Sequence, residues 1–148
     1  MDSALASTRP IALEVEAICH AFVNAVDQRT LSIHDPVWRH MAPVFRADAD
    51  FPGQNRELDL PGLLDTIQGI INADPGHHMR ILTLNTEVDT SRRQASVYMT
   101  TEIHGVPAGV VRQNVAVFEF RERDGQWRGA RYRGLRGMGG LQSGFGGF

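Results

Sequence analysis

The chain has one cysteine, Cys19, in 148 residues. That excludes an internal disulfide, and a cytoplasmic location is the expectation. Long apolar runs are missing, since none approaches the roughly 20 residues that a helical membrane span needs. The segment Met1 to Arg9 lacks the apolar centre of a secretory signal. Charge of one sign is missing too. Fifteen basic and seventeen acidic residues leave a net charge of −2 and a pI near 6.3, which is no footprint for nucleic acid. The arginines gather late, from Arg112 to Arg136, but Glu119, Glu122 and Asp124 are interleaved with them, as on solvated strand faces. The six histidines show no His-x-x-x-His or His-Glu-x-x-His spacing, so no metal site is implied. No glycine-rich loop stands between a strand and a helix, and no Ser or Cys sits in a nucleophile motif. No cofactor is expected.

What is present reads as one domain, long enough to bury roughly two-thirds of its unfolded surface. Ser7 or Thr8 can cap a first helix starting near Thr8 or Arg9, with Pro10 in its first turn. Ile11, Val15, Ile18, Phe22 and Val26 step by three and four and form its apolar face, on which Cys19 also falls. The helix should end between Asp27 and Thr30. Pro36 to Met41 reads as a short second helix stopped by Ala42-Pro43, and Val44 to Phe51 as a short strand broken at Pro52-Gly53. Asp59 looks like the N-cap of a third helix, with Pro61 in its first turn. Leu60, Leu63, Leu64, Ile67, Ile70 and Ile71 supply its buried stripe, and Asp74-Pro75-Gly76 ends it.

From His77 the hydrophobic period changes to two. Met79 to Val88 and Gln94 to His104 read as strands joined at Asp89 to Arg92. Gly105 to Gly109 turns the chain into two further strands, joined by the hairpin signal Asp124-Gly125. Helices followed by an antiparallel meander indicate an α+β fold, with helices covering one face of a curved sheet. The domain should span residues 10–134, with an arm at 1–9 and a tail at 135–148. From Gly134 onward seven of fifteen residues are glycine, and no fixed secondary structure is assigned there. Leu141, Phe145 and Phe148 are spaced apolar anchors, on a free terminus or on a lid over a pocket mouth.

One strand carries an exception. Arg112 and Asn114 sit two apart, on a face shared with Ala116, Phe118 and Phe120. A cation and an amide among apolar neighbours need partners. Either they are the placed polar groups of a small-molecule pocket, or the strand end reaches solvent. On the preceding strand Tyr98, Glu102 and His104 share one face, and Met99, Thr101 and Ile103 the other. Which face looks inward depends on where the Gly105–Gly109 turn is centred, and a one-residue change reverses it.

The order of long helix, short helix, Ala42-Pro43-x-x-Arg46-x-Asp48, third helix, His at a strand start and a meander with Asp124-Gly125-x-Trp127 resembles the nuclear transport factor two-like superfamily. SnoaL-like polyketide cyclases and scytalone dehydratase belong to it. The resemblance covers residues 10–134. It implies a cone-shaped, cystatin-like roll, in which a curved, mainly antiparallel sheet is wrapped by N-terminal helices around a pocket. It also implies a homodimer through the outer sheet face. The dehydratase's acidic residue at the end of the first helix falls on Asp27, and its histidine at the first long strand on His78. Of a polar pair on the penultimate strand, Asn114 is kept and Ala116 is not. Two tyrosines that hold the dehydratase's catalytic water fall on Val26 and Ala49, and its second histidine falls near His104. That particular dehydration is therefore not expected. Epoxide hydrolases of this fold use an Asp-Arg-Asp set, whereas Arg112-x-Asn114 lacks the strand carboxylate.

The chemical reading centres on His78, whose imidazole can exchange a proton near neutral pH. Asp27 would orient or charge it, or act as base itself. His77 would point the opposite way. Arg112 could hold a carboxylate, phenolate or enolate oxygen, or else pair with Glu102 on the next strand. Asn114 could orient a ligand. Tyr98, Glu102, Trp38, Phe118 and Tyr132 are further candidates for substrate contact. Trp38 and His40 more readily serve packing or surface, and of Arg131 and Tyr132 one should point inward. The expected function is a cofactor-independent isomerase or cyclase, with dehydratase next, acting on a small polyketide- or terpenoid-like intermediate of secondary metabolism. A binding or dimerisation module of the same fold is the alternative.

Overall fold

The computed structural model describes residues 2–51, 54–105 and 109–135. Helix α1 (Asp2–Asp27) leads through a 3-10 turn (Pro36–His40) to strands β1 (Met41–Phe51) and β2 (Gln54–Leu58). Helix α2 (Leu60–Ala73) follows, then β3 (His78–Asp89), β4 (Gln94–His104), β5 (Val111–Arg123) and β6 (Gln126–Leu135). The six strands form one open sheet in the order β2-β1-β6-β5-β4-β3. Every pair is antiparallel except β1–β6, which is parallel. This is the expected α+β architecture, with α1 lying along β3 and across the inner face of the sheet.

The expected stripe of α1 packs as predicted. Val15, Ile18, Phe22 and Val26 are buried, with Cys19 among them. They meet the inner-facing residues Val97 and Met99 of β4 and Phe118 and Phe120 of β5 in a single core. Rings dominate its centre. Phe118 stacks on Phe120 at 4.7 Å and meets Phe22, Phe45 and Tyr132 edge-on or tilted. Gly129 makes this possible, because a Cβ there would stand 2.6 Å from the Phe118 ring and 2.7 Å from the Met41 sulfur. The β5–β6 turn has positive φ at both Asp124 and Gly125, the two-residue turn that matches strand twist.

Several boundaries differ from the sequence reading. Helix α1 begins at Asp2, so residues 2–9 belong to the helix rather than to an arm, and Pro10 lies inside it. Ala4, Leu5 and Ala6 are strong helix formers, and Pro10 forfeits only the bond its missing N–H would make to Ala6. The second helix is a single 3-10 turn capped by Asp35, and β1 already starts at Met41. Pro43 fits in that strand because the β1–β6 register shifts between Met41 and Arg46. Strand β2 was not expected. It is short, polar and paired only with β1, so it carries no alternating apolar signal. Asp59 caps α2 as anticipated, accepting the Gly62 N–H at 2.9 Å. Pro52-Gly53, the centre of the Gly105–Gly109 turn and the tail from residue 136 lie outside the described residues, and with them the lid expectation.

Candidate active site

The site is built where α1 stops. Thr30 N–H reaches back to the Ala25 carbonyl and Arg29 N–H to that of Val26, which closes the helix with Arg29 in the left-handed region, φ 65°. Glycine usually takes that position. Here the arginine uses it to turn its guanidinium onto three carbonyls, of Asp27 at 3.0 Å, Pro75 at 3.0 Å and His77 at 2.7 Å. The end of α1 is thus tied to the turn that starts β3.

That tie brings Asp27 to His78. Asp27 Oδ1 lies 2.6 Å from His78 Nδ1 and accepts the Met79 N–H at 3.0 Å. β3 is an edge strand, so the Met79 amide has no neighbouring strand on its outer side, and the carboxylate takes that place. The pair is partly open to solvent, with side-chain exposures of 51 % for His78 and 25 % for Asp27. With Nδ1–H donated to the carboxylate, Nε2 carries the lone pair and faces outward.

A second histidine–carboxylate pair stands opposite. His78 is the direct cross-strand partner of His104, and their rings lie 5.6 Å apart. His104 Nε2 is 2.9 Å from Glu102 Oε1, which also accepts from Arg80 Nε at 2.9 Å. Hydrogen bonds from Arg80, then from His104, hold the Glu102 carboxyl below its ordinary pKa.

The face of β4 left open by the sequence is now assigned. Ala95, Val97, Met99, Thr101 and Ile103 are buried against the core, so Tyr98, Glu102 and His104 point outward. Tyr98 and Glu102 therefore do not line the interior. Glu102 instead holds His104, and Tyr98 is exposed on the outer face. On β5 the register pairs Ile103 with Arg112 and Thr101 with Asn114, which places Arg112 and Asn114 on the inner face, half-buried. Arg112 cannot pair with Glu102 as considered from sequence, because the two side chains leave opposite faces of the sheet. Burial alone pulls the Arg112 guanidinium down to about 10.

The expected site residues thus separate. Asp27, His78, Glu102 and Tyr98 are outer-face or edge residues, whereas Arg112, Asn114, Trp38, Phe118 and Tyr132 are inward. Phe118 is completely buried among rings, which leaves it no face for a substrate. Tyr132 packs on Phe22 and Phe118, and burial pushes its phenol up to about 12. Trp38 is buried edge-on to Phe22. Phe118 and Trp38 are core residues placed by packing, and Tyr132 is a partly buried aromatic packed against that core. Of the Arg131–Tyr132 pair, Tyr132 is the inward member, and Arg131 binds Asp48 and Glu57 outside. His40 is exposed.

His77 is buried, one step out of phase with His78. Burial, then Arg29, lower its pKa; Asp27 and Asp74 oppose this, and Arg112 adds to it. Among the described residues no three His, Cys, Asp or Glu side chains converge as metal ligands, and no helix there is long and apolar enough to cross a membrane. The chain has no lysine, so a side-chain Schiff base is excluded. An open depression of about 320 Å³ lined by Arg46, Glu57, Leu58 and Asp59 lies at the opposite edge of the sheet.

Sequence reasoning missed one residue and one partnership here. Arg29 gave no signal, since a left-handed arginine is invisible to periodicity. The partnership of His104 with Glu102 was visible only as their shared face.

No family model and no curated protein matches the chain. Solved structures do. A nuclear transport factor 2-like protein with a cystatin-like fold from Novosphingobium aromaticivorans is 13 % identical, with 97 % of this chain and 96 % of that one covered and a TM-score of 0.67. A nuclear transport factor 2-like protein of unknown function from Pseudomonas putida is 14 % identical, with 84 % of each chain covered and a TM-score of 0.66. AclR, a proposed hydroxylase from Streptomyces galilaeus, is 17 % identical, with 92 % of this chain and 87 % of that one covered and a TM-score of 0.58. At these identities the likeness is one of fold.

Proposed function

We propose that the chain, whose fold is the nuclear transport factor 2-like, cystatin-like one, is a cofactor-independent acid–base enzyme. Its reaction is isomerisation or cyclisation of a small, oxygenated, polyketide- or terpenoid-like intermediate. The observation that carries this reading is the 2.6 Å contact between Asp27 Oδ1 and His78 Nδ1. An imidazole held at one nitrogen by a carboxylate presents the other as a base of fixed direction. His78 Nε2 takes a proton from the carbon next to a carbonyl. The C–H electron pair becomes the C=C bond of an enolate, and the carbonyl electrons move to oxygen. Asp27 stabilises the imidazolium through Nδ1–H. His104, when protonated, offers Nδ1–H to that oxygen, while Glu102 holds its other nitrogen. Return of the proton at another carbon completes the isomerisation.

The test needs no natural substrate. Deuterium uptake from D2O at the α-carbon of 2-tetralone, followed by NMR, reports proton abstraction directly. Wild type should accelerate it, and His78→Ala should lose about 100-fold or more of that acceleration. Wild type no faster than free imidazole, or an unimpaired His78→Ala, would sink the proposal.

The resemblance also supports a homodimer through the outer sheet face, where exposed Tyr98 lies across from Val117. Sedimentation should give a dimer for wild type and a monomer for Tyr98→Glu, and a wild-type monomer would refute it.

A further inference from the structure

We propose that His78 and His104 form a two-histidine site for a divalent transition-metal ion, Cu2+ ahead of Ni2+ and Zn2+, and that an ion bound there shuts off proton transfer at His78. The inhibition rests on the proton transfer proposed for His78; the metal site does not.

The strand register makes the pair. His78 opens β3, His104 closes β4, and the two are direct cross-strand partners. Spacing along the chain, such as His-x-x-x-His, does not reveal a pair whose members come from different strands. The ring centroids stand 5.6 Å apart. Two imidazoles on one ion, with metal–nitrogen bonds of about 2.0–2.1 Å, put their centroids roughly 5 Å apart, so a small rotation of either ring suffices. Both side chains reach solvent, which gives an ion direct entry.

Each ring is held by a carboxylate at one nitrogen. Asp27 takes His78 Nδ1 at 2.6 Å, and Glu102 takes His104 Nε2 at 2.9 Å. A carboxylate behind an imidazole fixes its tautomer and raises its basicity, the support that metal-binding histidines almost always have. Arg80 in turn steadies Glu102. His78 Nε2 and His104 Nδ1 remain, and neither hydrogen-bonds to a described residue. Val111, next to His104 on β5, is exposed and offers no ligand. No third His, Cys, Asp or Glu among the described residues joins the pair, and the sole cysteine, Cys19, is buried and does not compete. Water fills the remaining positions, which suits tetragonal Cu2+ with nitrogen and oxygen ligands and gives it preference over Ni2+ and Zn2+. The ion takes neutral rings. Proton transfer instead needs His104 protonated and His78 Nε2 open, so the two uses of the pair exclude each other.

Titration of the full chain with Cu2+, followed by electron paramagnetic resonance, tests the site. Wild type should bind one ion per chain, with nitrogen hyperfine splitting from two imidazoles. His78→Ala and His104→Ala should each weaken binding by about tenfold or more and remove one of the two nitrogens from the signal. His34→Ala and His40→Ala, which remove exposed histidines elsewhere, should change neither. His78→Gln and His104→Gln keep a donor for the carboxylate and, checked by thermal melting, provide the result if the alanine variants fail to fold. A wild type without copper, a signal from a single nitrogen, or affinity unchanged by substitution at both positions would overturn the site. One equivalent of Cu2+ should also stop deuterium uptake into 2-tetralone, and EDTA should restore it. Uptake that continues in the copper-loaded protein would overturn the inhibition. A metal-free wild type that does not exchange 2-tetralone would overturn the proton transfer and the inhibition with it, while the copper titration judges the site separately.

Discussion

Asp27 and His78, 51 residues apart in the chain, meet at 2.6 Å, and the same carboxylate oxygen also closes the edge of β3 at Met79. One side chain therefore serves stability and chemistry together, and two substitutions can separate them. Asp27→Ala removes a charged acceptor from a backbone amide and should cost about 1.5–3 kcal/mol in urea unfolding. Asp27→Asn keeps an acceptor oxygen and should lose less than half of that. Both remove the charge that steadies the His78 imidazolium, so deuterium uptake into 2-tetralone should fall by about 100-fold in each. Equal stability losses would show that the Met79 bond carries no weight.

Arg29 sets this geometry from a backbone conformation that disfavours it. Arg29→Gly would relieve the left-handed strain, about 1 kcal/mol, yet it deletes three hydrogen bonds to carbonyls. A net destabilisation of about 1–2 kcal/mol is expected, with Arg29→Ala worse by about 1 kcal/mol because alanine keeps the strain. A stabilised Arg29→Gly would mean that the guanidinium contacts contribute nothing.

Phe118 tests the reassignment of an expected substrate contact to the core. Fully buried and ringed by Phe22, Phe45, Phe120 and Tyr132, it should cost about 3–5 kcal/mol on change to alanine. Phe118→Leu should keep most of that stability. A Phe118→Ala protein of near wild-type stability would argue for an open pocket at this position.

Local chemistry made much of the fold legible. Asp59 with Pro61 announced α2, Asp124-Gly125 announced the last hairpin, and the spacing from Ile11 to Val26 announced the buried face of α1. Each signal lies within a few residues of the structure it specifies. β2 was hidden because a short polar edge strand resembles a loop. The site was legible as positions but not as an arrangement. Resemblance brought Asp27 and His78 forward, whereas the separation of His78 from Arg112 depends on the β3–β4–β5 register. That register passes through a shift between Ile81 and Thr83 that alternation alone does not reveal. Phe118 was misjudged for a related reason. A strand face identifies inward side chains but not whether they meet a ligand or each other.

His77 gives the fold a pH dependence of definite sign. Burial, then Arg29, with a smaller contribution from Arg112, lower its pKa from 6.5 against the opposing pull of Asp27 and Asp74. In the unfolded chain the imidazole binds a proton near its ordinary value, while the folded protein resists it. The unfolded state therefore holds more protons just below that value, and stability rises with pH there. The contribution is complete above pH 6.5 and is lost as pH falls through the window beneath it. His77→Gln has no proton to gain, so its melting temperature should vary less than that of wild type between about pH 5 and 7. The remaining five histidines are common to both proteins, so the difference between the two profiles isolates His77. Parallel profiles would mean that His77 takes up its proton as readily in the folded protein as in the unfolded chain, and that its environment is less buried than its position against Arg29 and Gly105 requires.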